Sequence, residues 1–314
     1  MNQEIKRIMR KFFRDPSALI GLSLVLFFMF VAIFAPWIAP PYHPLNPEMR
    51  LPDPYLMPVV TWSQGPQPPT YRSDVNEESL GRKPIRCVDY HPFGVIGGRD
   101  ILYGVVWGTR TAFKIGIIVT LLRLLIGVLI GSISGYFGGW IDEILMRITD
   151  VFLSIPFLIA AVVLTTVLGT GLDKVMIAMV VFGWMGAARL IRGNILQVRE
   201  EQYILAAKAL GVPDYLVILK HVLPNTIFPV LIWASMNMGS LVITASVLSF
   251  LGLGAPQGYA DWGSILSYSR DWMMEIGKHW YTLVYPGTAM VLFVLGWNLL
   301  GDALRDAFDP RLKF

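Results

Sequence analysis

Cysteine is almost missing from this sequence. Cys87 stands alone among 314 residues, so no disulfide closes within the chain. Histidine is nearly as scarce: four scattered residues, with one cysteine, give no zinc-ligand spacing. No G-x-x-x-x-G-K-[ST] phosphate loop occurs. Gly-rich pieces such as "YFGGW" and "FLGLG" lack the lysine and read as turns at span ends. No Ser/His/Asp set or paired-carboxylate arrangement is recognisable. Charge is thin as well: 15% of residues carry it, against about 25% in a soluble domain. The net charge of +4 is too small to argue for nucleic acid. It is the excess a membrane protein holds as Lys and Arg on its cytoplasmic side.

What is present is apolar. Hydrophobic residues make up 54% of the chain and the mean hydropathy is +0.56. A helix needs about 20 mostly apolar residues to cross the hydrocarbon core, and the chain offers six such stretches. Ala18 to Ile38 is uncharged and follows Lys6, Arg7, Arg10, Lys11 and Arg14. It is too long for a cleaved leader and is read as a retained span with Trp37 at the far interface. The second runs from about Phe113 to Phe137, with Arg123 inside it. The third lies between Asp150 and Asp173. The fourth starts after Lys174 and must continue through Arg189 and toward Arg192, whose long stems can snorkel to the interface. The fifth covers about Ile227 to Leu251, and the sixth lies between His279 and Asp302. Pro156, Pro229 and Pro286 fall near span ends, where proline is tolerated.

This reads as an all-α, polytopic membrane protein. Residues 1–17 form an N-terminal segment, 18–39 the first span, 40–98 an external loop, 99–302 the five-span core, and 303–314 a tail. Six spans put both termini on one side. The basic N-terminal cluster, and the surplus of Arg and Lys between Arg189 and Asn225, make that side cytoplasmic. The short turn at 138–149 is acidic and runs against this rule. The 40–98 loop is expected to be irregular and partly ordered, either as a docking surface or as a plain insertion. The "DWGSILSYSRDWM" stretch is expected to form an interfacial helix anchored by Trp262 and Trp272.

One segment does not fit the apolar pattern. "AAKALGVPDYLVILKHVLPN", 206–225, lies between spans four and five and reads as two short helices broken at Gly-Val-Pro. Gly211 supplies a left-handed stop. Pro213 suits the first turn of a new helix, and Asp214 brings negative charge to its positive end. The second helix is expected to end at Pro224, with Tyr215, Ile218, Leu219 and Val222 as one apolar stripe. Such a face is buried on a partner, on the protein's own helix ends, or on the membrane surface.

These residues resemble the EAA loop of importer-type ABC transporter permeases. Ala206, Ala207, Gly211, Leu223 and Pro224 stand at its spacing; Leu205 replaces its Glu, and His221 stands where the general pattern has Ile. The peptide-permease branch commonly shows that His. "HPFG" and "GRDILYGVVWGTRTAF", "GYFGGWIDEILMRITDVFLSIPFL", "GWMGAARLIRGNIL", "SFLGLG", "DWGSIL" and "NLLGDALRDAFDPR" follow in order. Together they resemble the C-type permease subunit of dipeptide, oligopeptide and nickel importers. The resemblance implies the type I importer permease fold with a cytoplasmic coupling helix, in a bacterial or archaeal cell membrane. It also implies a second homologous permease, two ATPase subunits that use ATP and Mg, and an extracytoplasmic substrate-binding protein. The chain itself would bind no cofactor. The ATPase-coupling residues it implies are Ala206, Ala207, Gly211, Val212, Pro213, Asp214, Tyr215, His221, Leu223 and Pro224.

Polar residues within spans are the remaining candidates. Asn237, Ser240 and Thr244 share one face of span five, either lining a water-filled path or bonding to another helix. Arg123 near mid-depth costs at least ~2.5 kcal/mol on insertion scales. It either meets a substrate carboxylate or pairs with the partner permease. No Asp or Glu lies within a span, which argues against an ion-driven carrier. A membrane enzyme with its site in the outer loops is the alternative of another class; nickel or oligosaccharide import is the alternative within this one.

Overall fold

The computed structural model describes residues 12–43, 46–51, 53–60, 65–69, 71–72 and 90–308. Cys87 and the basic residues Lys6, Arg7, Arg10 and Lys11 lie outside them. Helix α1, Pro16–Ile38, starts where Asp15 accepts hydrogen bonds from the Ser17 amide and hydroxyl, with Pro16 in the first turn. Helix α2, Ile101–Phe137, is a single 37-residue rod capped by Asp100, whose carboxylate accepts from the Tyr103 amide.

The third span departs from expectation. It is not one straight crossing but α3, Gly139–Ser154, and α4, Phe157–Leu168, bent by 84°. Pro156 makes the bend: its ring excludes Ile155 from helical geometry, and Ile155 is extended at φ −87°, ψ 120°. The fourth span is broken too, into α5, Leu172–Val181, and α6, Met185–Val198. Then come α7, Gln202–Ala209, and α8, Asp214–Val217, which passes through a π turn, Ile218–Val222, into α9, Leu223–Phe250. The second short helix therefore does not end at Pro224. Pro224 sits in the first turn of α9, where a missing N–H is tolerated, and the helix runs on into span five. Helix α10, Trp262–Tyr268, a 3₁₀ segment Arg270–Glu275 and α11, Ile276–His279, lead to α12, Tyr281–Phe308, which continues past Asp302. Among the described residues five helical runs are long and apolar enough to cross a membrane, and the count is six if the bent α3–α4 pair is one span.

Glycines set how closely the spans approach. Gly127, Gly131 and Gly135 lie four residues apart on α2 and face α6. A β-carbon on Gly127 would stand 2.5 Å from Ala187 Cβ; one on Gly131 would stand 2.4 Å from the Ala188 carbonyl oxygen. The two backbones are in contact, as small-residue packing in membranes allows.

Part of the loop end of the bundle is ordered among the described residues. Three antiparallel ribbons form there: β1 (Tyr42–His43) with β2 (Asn46–Arg50), β3 (Tyr71–Arg72) with β4 (Tyr90–His91), and β5 (Val95–Ile96) with β6 (Arg99–Asp100). Met57 and Gly258 are joined through their backbones, and the Tyr103 hydroxyl donates to the Pro54 carbonyl at 2.7 Å. Trp107 Nε1 donates to Ala39 at 2.8 Å. Trp262 is not an interfacial anchor. It is 1% exposed, packed against Phe28 and Phe293, and donates to the Val105 carbonyl at 3.0 Å. Its helix α10 lies inside the apolar cluster, because Gly104 and Gly108 of α2 leave room for it. Asp261 caps α10 from a buried position; burial pushes its carboxyl above the usual range, against hydrogen bonds from the Ser264 amide and hydroxyl.

Candidate functional site

The hairpin between spans four and five is built by its turn. The Gly211 amide donates to the Lys208 carbonyl and the Val212 amide to the Ala207 carbonyl, the paired bonds that close a helix through a left-handed residue. Gly211 has φ +77°, and a β-carbon there would meet nothing within 4 Å. Conformation alone therefore demands glycine. Gly211→Val is expected to destabilise the turn by about 1–2 kcal/mol, read as faster amide exchange across α7 and α8. Unchanged exchange would refute it.

The hairpin has two faces. Ile204, Ala207, Val217 and Val222 are buried, in a cluster with Tyr136, Ile191 and Ile195. On the other side Leu205, Ala206, Gly211, Pro213 and Asp214 are exposed, and Leu210 at the tip is 84% exposed. Val212, His221 and Leu223 are half-buried and Pro224 is exposed. The expected stripe is split. Val222 faces the protein, while Tyr215 and Leu219 turn away and line an apolar groove of about 590 Å³ with Leu121, Leu125 and Leu129 of α2. Tyr215 thus belongs to the α2 side of the hairpin, not its tip.

The sequence reading missed Tyr136. Its hydroxyl donates to Asp214 Oδ1 at 2.5 Å, and Lys208 Nζ lies 4.3 Å from its ring centroid. One side chain from α2 therefore touches both arms of the hairpin. Around it, Arg199 Nη1 donates to the Gly135 carbonyl at 3.1 Å. Arg192 grips Asp142 through two hydrogen bonds of 2.6 Å, and Ser134 also donates to Asp142. Arg189 pairs with Asp150 at 2.5 Å. Arg189 and Arg192 thus meet carboxylates of α3, and Asp142 of the acidic 138–149 turn is matched by Arg192 from span four.

Arg123 lies deeper on the same face of α2. Its Nε donates to the Met179 carbonyl at 2.7 Å. That carbonyl is freed by the break in span four, because the Gly183 amide turns to Val180 instead. A β-carbon at Gly183 would stand 2.1 Å from the Arg123 guanidinium carbon. The guanidinium occupies the notch between α5 and α6.

Asn237, Ser240 and Thr244 do share a face of α9. Each hydrogen-bonds a carbonyl of its own helix: Trp233 at 2.7 Å, Asn237 at 2.9 Å and Ser240 at 2.8 Å respectively. Ser240 is exposed and the other two are half-buried. At the loop end a further cavity of about 690 Å³ is lined by Thr170, Ser249, Gln257, Ser264, Tyr268 and Arg270, among others.

Residues 127–314 match the family described as binding-protein-dependent transport system inner membrane component. The chain belongs to that family. The hairpin and the polar face of α9 fall within the matched region of this transport component. Residues 4–58 match the N-terminal TM domain of oligopeptide transport permease C, and Arg123 falls between the two matches. The permease is 33% identical to a dipeptide transport system permease protein of Alkalihalophilus pseudofirmus, over 96% of this chain and 88% of the relative. It is 36% identical to a glutathione transport system permease protein of Pectobacterium atrosepticum, over 82% and 84% respectively. It is 32% identical to an oligopeptide transport system permease protein of Bacillus subtilis, over 98% and 90%. A chain of an inward-facing methionine ABC transporter shares the fold, with a TM-score of 0.50 at 18% identity. That match covers 67% of this chain and 98% of the other. The type I importer permease fold expected from the sequence is the one observed.

Proposed function

We propose that this permease forms one half of the membrane path of an ATP-driven importer of di- and oligopeptides. A second homologous permease forms the other half. The supporting observation is the hairpin: a stiffened helical pair whose inner face is packed on spans two and four, and whose tip leaves Leu210 uncovered. An exposed apolar tip on a rigid support suits a cleft on another subunit. The chain has no phosphate loop, so two partner subunits bind ATP and Mg and hydrolyse the nucleotide. Their closure pushes the hairpin and rocks the bundles between inward and outward access. The hairpin side is cytoplasmic, with both termini, in a bacterial or archaeal cell membrane; an external binding protein delivers substrate to the loop side. The printed functions of the relatives, dipeptide, oligopeptide and glutathione transport, favour a peptide substrate. Asn237, Ser240 and Thr244 offer hydroxyl and amide groups toward a wet path, which a peptide backbone requires.

Co-expression with the neighbouring transporter subunits tests this. The expected result is a stable complex whose ATP hydrolysis rises with peptide-loaded binding protein, and crosslinks from Leu210→Cys to an ATPase subunit. A chain that purifies alone, or crosslinks that never capture an ATPase, would refute it.

A further inference from the structure

Among the described residues helix α2 packs against the hairpin and runs as an unbroken α-helix to the loop end. At 1.5 Å per residue its 37 residues reach about 55 Å. Span three is bent at Pro156 and span four is broken at Gly183, and a π turn interrupts the path into span five. Helix α2 has no such bend, gap or π turn along its length.

Both ends of α2 are fastened. At the hairpin end Tyr136 is 5% exposed, bonded to Asp214 on the second arm and stacked under Lys208 on the first. The Gly135 carbonyl holds Arg199 at the hairpin's root. At the loop end Asp100 caps the helix and pairs with His91 Nδ1 at 2.5 Å. Arg99 donates to the Met57 carbonyl, Tyr103 to Pro54 and Trp107 to Ala39. We propose that Tyr136 is the positioning residue of energy coupling: it locks the hairpin to span two, and span two carries hairpin displacement across the membrane to the loop-side cap. This rests on the reading of the hairpin as the ATPase contact.

The test uses the assembled transporter in proteoliposomes. Tyr136→Phe keeps the ring under Lys208 and removes the hydroxyl. Peptide taken up per ATP hydrolysed is expected to fall about tenfold, the scale for losing a hydrogen bond to a charged acceptor. Asp214→Ala breaks the same bond from the hairpin side, so it should give the same loss, and the double variant should be no worse than either single one. Asp214→Asn keeps an acceptor oxygen and should restore most of the ratio. A purely structural role would lower uptake and hydrolysis together and leave the ratio at the wild-type value. A wild-type ratio in both Tyr136→Phe and Asp214→Ala therefore overturns the proposal, as does additivity in the double variant. If the wild-type chain captures no ATPase, the hairpin reading fails and this inference falls with it; an intact complex with an unchanged ratio removes this inference alone.

Discussion

Replacing Arg123 by alanine is expected to lower uptake about tenfold while the subunits still assemble. The guanidinium answers the Met179 carbonyl at the break in span four and fills the space over Gly183. Without it a carbonyl is left unpaired where water is scarce, at about 1–3 kcal/mol, and each ~1.4 kcal/mol is a factor of ten in rate. Assembly should survive, because this hydrogen bond and the Gly183 contact lie within the chain. Gly183→Ala attacks the same arrangement from the other side, since its β-carbon would stand 2.1 Å from the guanidinium carbon. It should reproduce the defect. In the Arg123→Ala background the same change should cost nearly nothing, because the space has been vacated. Uptake and complex yield of the four proteins complete the cycle. Additive losses, or wild-type uptake by Arg123→Ala, would remove the notch from the mechanism.

Gly131→Leu is expected to have the larger effect on folding. The first added carbon would lie 2.1 Å from Ile191 Cγ2 and 2.4 Å from the Ala188 carbonyl oxygen. Overpacking of a core costs about 1–3 kcal/mol where side chains yield. Here backbone must yield, so spans two and four are forced apart and the cost lies at or above that range. The ladder of Gly127, Gly131 and Gly135 also carries Tyr136 and the hairpin beside it. Monodisperse yield in detergent and the melting temperature should both drop, and Gly131→Ala should fall between Leu and wild type. A Leu variant that melts like wild type would show that the helices are not held at this distance.

Much of the site was visible before folding was considered. Gly211, the helix break and Asp214 at the start of the second arm follow from local rules of turn and cap, and the structure places them so. The ladder carried a signal that went unread, G-x-x-x-G in an apolar helix at Gly127, Gly131 and Gly135. Tyr136 carried none. A tyrosine at the end of an apolar span reads as an interfacial anchor, and nothing local to it points to Asp214, 78 residues away. Trp262 was misjudged for the same reason: its surroundings in sequence are polar and its surroundings in space are Phe28 and Phe293. Pro224 was misjudged differently, because a helix-breaking residue in the first turn of a helix breaks nothing.

Crossing the membrane is a one-dimensional property. Length and apolarity of a run suffice, so the linear sequence determined which runs are apolar enough to span, where the hairpin interrupts them, and which glycine closes its turn. Which cation meets which carboxylate, what lies over Gly183 and what holds Lys208 and Asp214 together depend on which helices become neighbours. Only tertiary packing decides that, because helix adjacency arises from the fit of whole surfaces and is written in no single segment.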